Sequence, residues 1–133
     1  MVMVKEVTPM PVPAFLVEDN AVIRNNLIPT LAELGGISVV AFAEGQTEAL
    51  NWLQRHDGLW EFVIVDLFLK DGSGLGVITA CKERNPKSQV VVLTNYATPD
   101  MRRRCLELGA DAFFDKSSQL DEFFAYCELH SLK

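Results

Sequence analysis

A chain of 133 residues with 49% apolar and 23% charged residues has room for one compact domain and the composition of an ordinary globular protein. Its formal net charge of −6 argues against a phosphate backbone as partner, so no direct nucleic-acid binding is expected. No run approaches the ~20 apolar residues of a membrane span, and Cys81, Cys105 and Cys127 are odd in number and follow no metal-binding spacing, which predicts a cytoplasmic protein with reduced thiols.

Residues 1–12 carry prolines and no apolar core of signal-peptide length, so they are expected to form a loose leader to a domain spanning 13–133. Residues 14–17, "AFLV", predict a first strand. A helix over about 21–34 follows, with Ile23, Leu27, Leu31 and Leu34 inward and Pro29 bending it; Gly35 and Gly36 end it. Residues 37–43 predict a second strand, then a helix near 47–55 with Ala49, Leu50 and Leu53 inward. The run "FVIVD" (62–66) is continuously apolar up to its aspartate, as in a strand covered on both faces.

A helix near 75–84 and a strand over 89–94 come next. Thr98 as N-cap, Pro99 at the first position and Asp100 in the first turn open another helix, whose inner side is Met101, Cys105 and Leu108. Residues 112–114 predict a fifth strand. The last helix is expected after Ser117 and Ser118, with Ser118 and Asp121 at capping-box spacing and Leu120, Phe123, Phe124 and Cys127 inward. His56 and His130 read as surface residues. The run Met101–Arg104 reads as a solvated helix face, with docking of an acidic partner as the alternative.

Five such strand–helix units predict an α/β, doubly wound, flavodoxin-like (βα)5 fold. Its five-stranded parallel sheet has the order 2-1-3-4-5 and helices on both faces. Working groups in such sheets lie beyond the carboxyl ends of the strands. There the chain places Glu18 and Asp19, Asp66, Thr94 and Lys116. Three carboxylates at one rim repel unless a cation sits among them, and an oxygen-rich, water-open cluster suits Mg²⁺. Together with a hydroxyl and an ammonium, this set suits a phosphoryl group, with Asp66, on the central strand, as the nucleophile.

The motifs "FLVEDN", "VIVDLFLKDGSGLGVI", "VVVLTNYA" and "GADAFFDKS" together resemble the receiver domain of two-component response regulators, a likeness running through nearly the whole chain after about residue 12. The resemblance implies Asp66 as phosphoacceptor and Glu18 and Asp19 as the acidic pair holding Mg²⁺. It further implies the Phe68 carbonyl as a metal ligand, Thr94 as the switch hydroxyl, Lys116 as the phosphate-binding lysine and Phe113 as the aromatic switch position. The chain departs from the family at Ser117, where proline usually follows the lysine in a cis bond, at Asn95, where a small residue is usual, and at Lys70, a frequent proline.

The expected function is therefore a phosphorelay switch. A histidine kinase or histidine phosphotransfer protein would pass its phosphoryl group to Asp66, and the signal would leave through contacts with a downstream protein or, in a fragment, an output domain. A chain ending just after the last helix is expected to leave no room for an output domain of its own. Two other classes compete. An Mg²⁺-dependent phosphohydrolase with an aspartyl nucleophile usually carries a second aspartate two residues on, where this chain has Phe68. A pseudo-receiver, working without phosphorylation, would not need the complete set of site residues. "DGSGLG" matches no nucleotide-loop pattern.

Overall fold

The computed structural model describes residues 11–131; the expected leader falls almost entirely outside them. Its elements alternate as β1 (Val12–Val17), α1 (Ala21–Thr30), a π-helical turn (Leu31–Gly35), β2 (Ile37–Ala43), α2 (Gln46–Arg55), β3 (Phe62–Val65), α3 (Gly74–Ala80), β4 (Gln89–Thr94), α4 (Pro99–Glu107), β5 (Ala112–Asp115) and α5 (Leu120–Ser131). The five strands form one sheet in the order β2-β1-β3-β4-β5, and every pairing is parallel. The doubly wound, flavodoxin-like fold is thus as the alternation predicted.

Successive side chains of a strand point to opposite faces, and this divides the core in two. Phe15, Val17, Val63, Val65, Val90, Val92 and Phe113 meet Ala49 of α2, Val77 and Ile78 of α3 and Cys105 of α4. On the other face, Ala14, Leu16, Phe62, Ile64, Val91 and Leu93 meet Leu27 of α1, Leu31, and Phe123 and Cys127 of α5. β1, β3 and β4 are buried on both sides, which is why they read as unbroken apolar runs.

Four local expectations are corrected. The first helix is not α-helical to residue 34: beyond Pro29 it passes into the π turn, which inserts extra backbone and rotates the residues after it. Leu31 therefore stays inward, whereas Leu34 is exposed. α3 stops at Ala80, not near Arg84. Its last turn tightens, with Lys82 N–H donating to Thr79 O, and Arg84 turns back to donate to the Cys81 carbonyl.

The capping box at Ser118 does not form. α5 starts at Leu120 with Gln119 at the cap position, and the Asp115 carboxylate accepts from the Ser117 N–H and hydroxyl in the turn before it. Leu120 is in consequence exposed. Finally, the histidines are not simple surface residues. His56 stacks on Trp52, which stacks on Phe15 in turn, and His130 packs against Tyr126 and Phe62. Thr98 caps α4 as expected, accepting from Met101 N–H at 3.1 Å, with Pro99 at the first position.

Candidate functional site

Each parallel strand delivers its last residues to the same rim of the sheet. The β1–α1 junction begins with Glu18, held by its N–H on the Ala43 carbonyl of β2 at 3.0 Å. Asn20 caps α1, accepting from Ile23 N–H at 3.0 Å. Asp66 follows β3 directly, and its N–H donates to the Val17 carbonyl at 3.0 Å. Lys116 follows β5, with its N–H on the Thr94 carbonyl at 2.8 Å. Backbone bonds between neighbouring strands therefore fix where these side chains start.

The side chains converge on the ammonium. Lys116 Nζ donates to Glu18 Oε1 at 2.6 Å and to Asp66 Oδ2 at 2.9 Å. All three groups are nearly buried, with side-chain exposures of 9%, 4% and 12%. Asp66 Oδ1 accepts from the Leu67 N–H at 2.7 Å, and Glu18 Oε2 from the Asn20 N–H at 3.2 Å. Burial raises the Glu18 carboxyl above its ordinary value, with Lys116 opposing. Burial pulls the Lys116 ammonium down, but the hydrogen bonds and charges of Glu18 and Asp66 prevail and its pKa ends raised.

Asp19 is half-buried beside this group, and its carboxylate accepts no hydrogen bond from the described residues. Among those residues no three His, Cys, Asp or Glu side chains gather closely enough to hold a metal ion. Glu18 and Asp66 share the Lys116 ammonium and each accepts one backbone N–H, so of the three carboxylates Asp19 alone takes no hydrogen bond from the described residues. The oxygen donors at this rim are the carboxylates of Glu18, Asp19 and Asp66 together with backbone carbonyls of the loop after β3. That donor set still fits Mg²⁺, which binds through one or two carboxylates and keeps several waters.

Thr94 is fully buried, and its Oγ1 accepts from the Tyr96 N–H at 3.1 Å. Phe113 is packed inward against the α4 side of the core, and its carbonyl accepts from Arg102 Nη1 at 3.1 Å. Arg102 thus clips α4 to β5, while Arg103 pairs with Asp100, so part of the "MRRR" run is engaged within the domain. At the outer rim the rings of Phe68 and Tyr96 lie 3.9 Å apart between centroids, tilted by 44°. The Lys116–Ser117 peptide is trans, as no cis bond occurs among the described residues.

Arg24 escaped the sequence reading. It is buried, donating to the Glu18 carbonyl at 2.7 Å and to Glu44 Oε2 at 3.2 Å, with its guanidinium 4.2 Å over the Phe42 ring. It steadies the acidic loop from beneath. A signal existed: residues 24, 27 and 31 follow helical spacing, so an arginine occupied an inward position.

Residues 14–128 match the family described as the response regulator receiver domain. The chain belongs to that family. Receiver domains of two-component response regulators are signalling modules, and this chain is one of them. It is 31% identical over 106 residues to a cyclic di-GMP phosphodiesterase of Thermotoga maritima, a match covering 80% of this chain and 27% of that protein. The chain spans about a quarter to a half of the length of the curated relatives it matches.

Among solved structures, a DNA-binding response regulator of the LuxR family from Staphylococcus aureus superposes with a TM-score of 0.78 at 16% identity, covering 90% of this chain and 98% of that one. A response regulator from Burkholderia pseudomallei, with a phosphorylated aspartic acid, a calcium ion and citrate, superposes with a TM-score of 0.72 at 26% identity. It covers 90% of this receiver and 68% of the other chain. No helix among the described residues is long and apolar enough to cross a membrane.

Proposed function

We propose that this receiver takes a phosphoryl group onto Asp66 from a histidine kinase or histidine phosphotransfer protein and signals by the resulting change in charge. The observation that carries the proposal is the shared ammonium: Lys116 Nζ bonds both Asp66 and Glu18, so a cation already stands where phosphoryl oxygens would arrive. In the transfer an Asp66 carboxylate oxygen bonds phosphorus as the phosphorus–nitrogen bond of the donor breaks, and the released imidazole takes up a proton.

Asp19, Asp66 and the Phe68 carbonyl would hold Mg²⁺, with Glu18 reaching it through water. The metal supplies charge neutralisation for the phosphoryl oxygens. Lys116 follows the phosphoryl group, and the Thr94 hydroxyl turns to donate to it. Thr94 and Phe113 sit on β4 and β5, so their movement alters the face between α4 and α5. The Burkholderia relative, with a phosphorylated aspartic acid and a calcium ion, supports this chemistry.

The phosphohydrolase reading is disfavoured because Phe68 is an exposed aromatic where an acid–base aspartate would be needed. Incubation with Mg²⁺ and acetyl phosphate, read by intact mass, tests the proposal. One stable phosphoryl adduct is expected in wild type and none in Asp66→Asn, whose amide keeps the shape but is a poor nucleophile. Labelling of the Asn variant would place the acceptor elsewhere, turnover of the phosphate donor without an adduct would favour a hydrolase, and no reaction in wild type a pseudo-receiver.

A further inference from the structure

The loop "DGSGLG" after the phosphoacceptor has three glycines, two of which face the same side chain. A Cβ on Gly72 would lie 2.4 Å from Gln46 Oε1, and one on Gly76 would lie 2.2 Å from Gln46 Nε2. Gly72 also has a φ of +73°, a conformation that favours glycine. The glycines form a cradle, and the side chain of Gln46, the first residue of α2, fills it.

The seat is bonded as well as filled. Gln46 Oε1 accepts from the Ser73 N–H at 2.8 Å, while the Gln46 N–H donates to the Asp71 carbonyl at 2.7 Å. Ser73 in turn bridges antiparallel to Phe68, and Gly74 N–H closes the loop on the Leu67 carbonyl at 2.9 Å. The third glycine lets this closure approach Asp66: a Cβ on Gly74 would lie 2.2 Å from the Asp66 carbonyl oxygen. A short chain of contacts therefore runs from Gln46 through Ser73 and Gly74 to the backbone of Asp66 and Leu67, with Phe68 bridged to Ser73 beside it.

We propose that Gln46 is a positioning residue for the phosphoryl site, holding the loop from Leu67 to Ser73 so that the Phe68 carbonyl stays beside Asp66. The inference rests on the reading of that rim as an Mg²⁺-assisted phosphoacceptor site. Groups that orient a metal's ligands from behind typically change its affinity by 10–100-fold when lost. Gln46→Ala empties the cradle, and Gln46→Met fills it without an acceptor for Ser73.

The test is an Mg²⁺ titration of the full chain, followed by the amide shifts of Asp19 and Asp66, with hydrogen exchange at Ser73 measured alongside. Both variants should bind Mg²⁺ about tenfold more weakly or worse, with faster exchange at Ser73. Arg84→Ala, at the opposite end of the sheet, controls for general loosening and should lower the melting temperature while leaving the Mg²⁺ affinity within about twofold. Unchanged affinity in the Gln46 variants overturns the inference, and so does an equal loss in Arg84→Ala. A wild type that binds no Mg²⁺ overturns the reading of the site itself, and the inference with it.

Discussion

Lys116 and Asp66, fifty residues apart, are joined by a hydrogen bond of 2.9 Å at the carboxyl rim of the sheet. The same ammonium neutralises Glu18, so the pair cannot be broken without stranding a buried carboxylate. Lys116→Met should lower stability at pH 7 by about 3 kcal/mol, in the range measured when one partner of a buried pair is removed. The deficit has a predictable pH dependence. Glu18 is already raised by burial, and without the ammonium it rises further. A carboxyl raised in the folded state contributes stability that is present below its unfolded pKa and lost as pH rises through the folded one. The gap between variant and wild type should therefore narrow as pH falls from 7 towards 4.5, the ordinary value of this group. Denaturant unfolding at several pH values checks this, and a gap that widens on acidification would contradict it.

Arg84 ties the far end of the sheet. It donates to the carbonyls of Cys81 and Gly109 at 2.8 Å, to Ser88 O at 3.2 Å and to Asp111 Oδ2 at 2.6 Å, while Asp111 also accepts from Val90 N–H at 2.8 Å. Arg84→Ala should destabilise by about 2–3 kcal/mol, since it leaves a partly buried carboxylate and several carbonyls without their donor. The labelled fraction with acetyl phosphate should not change. A loss of labelling in a folded Arg84→Ala protein would show that this end of the sheet is coupled to the labelled site.

Much of this architecture was legible because buried parallel strands must be apolar on both faces, which sets the strand ends and hence Glu18, Asp66, Thr94 and Lys116. The features that escaped depend on contacts between distant segments. Nothing around Pro29 specifies a π turn; it is the rotation it introduces that turns Leu34 outward. Ser118 matched a capping pattern, yet Asp115 and Ser117 close a turn there and α5 begins only at Leu120. Gln46 lies 27 residues from Ser73, and only the folded loops bring them together. The bond from Lys116 to Glu18 spans 98 residues, and only the fold brings the two together.

The cysteines should behave as core residues. Burial pushes Cys81 and Cys105 up to about 11 and Cys127 to about 12, from an ordinary value of 9.0. Unfolded thiols ionise first, so the unfolded chain holds fewer protons than the folded one above pH 9. Stability is then fully present below pH 9 and falls as pH rises towards 11. Cys127→Ala should flatten that alkaline loss, at the cost of some packing at neutral pH. A disulfide-exchange reagent should label the native protein slowly and the unfolded protein at all three sites. Rapid native labelling would mean the core opens far more often than its burial suggests.

The Phe68 and Tyr96 rings, 53% and 52% exposed, lie against each other just beyond the ends of β3 and β4, and on the proposed reading a water would pass them to reach a phosphoryl group on Asp66. Hydrolysis needs that water in line with the phosphorus–oxygen bond, opposite the carboxylate. Neither ring carries a carboxylate or amide to orient it, and their mutual contact narrows the path. The Tyr96 N–H is also tied to Thr94 Oγ1, which holds its backbone close to the site. Positioning a nucleophile can contribute several kcal/mol to a rate, more than small changes in local charge. Self-dephosphorylation should therefore be slow, and a Phe68→Asn/Tyr96→Glu double variant should decay faster by about tenfold or more. Asn95 sits next to this pair, and its amide offers a water a second foothold, so Asn95→Ala belongs in the same series. The decisive measurement is the decay of phospho-Asp66 by intact mass in the presence of Mg²⁺. If wild type decays as fast as the double variant, the rings do not control access. If Asn95→Ala alone slows the decay further, then the amide at position 95 sets whatever residual hydrolysis the aromatic pair permits.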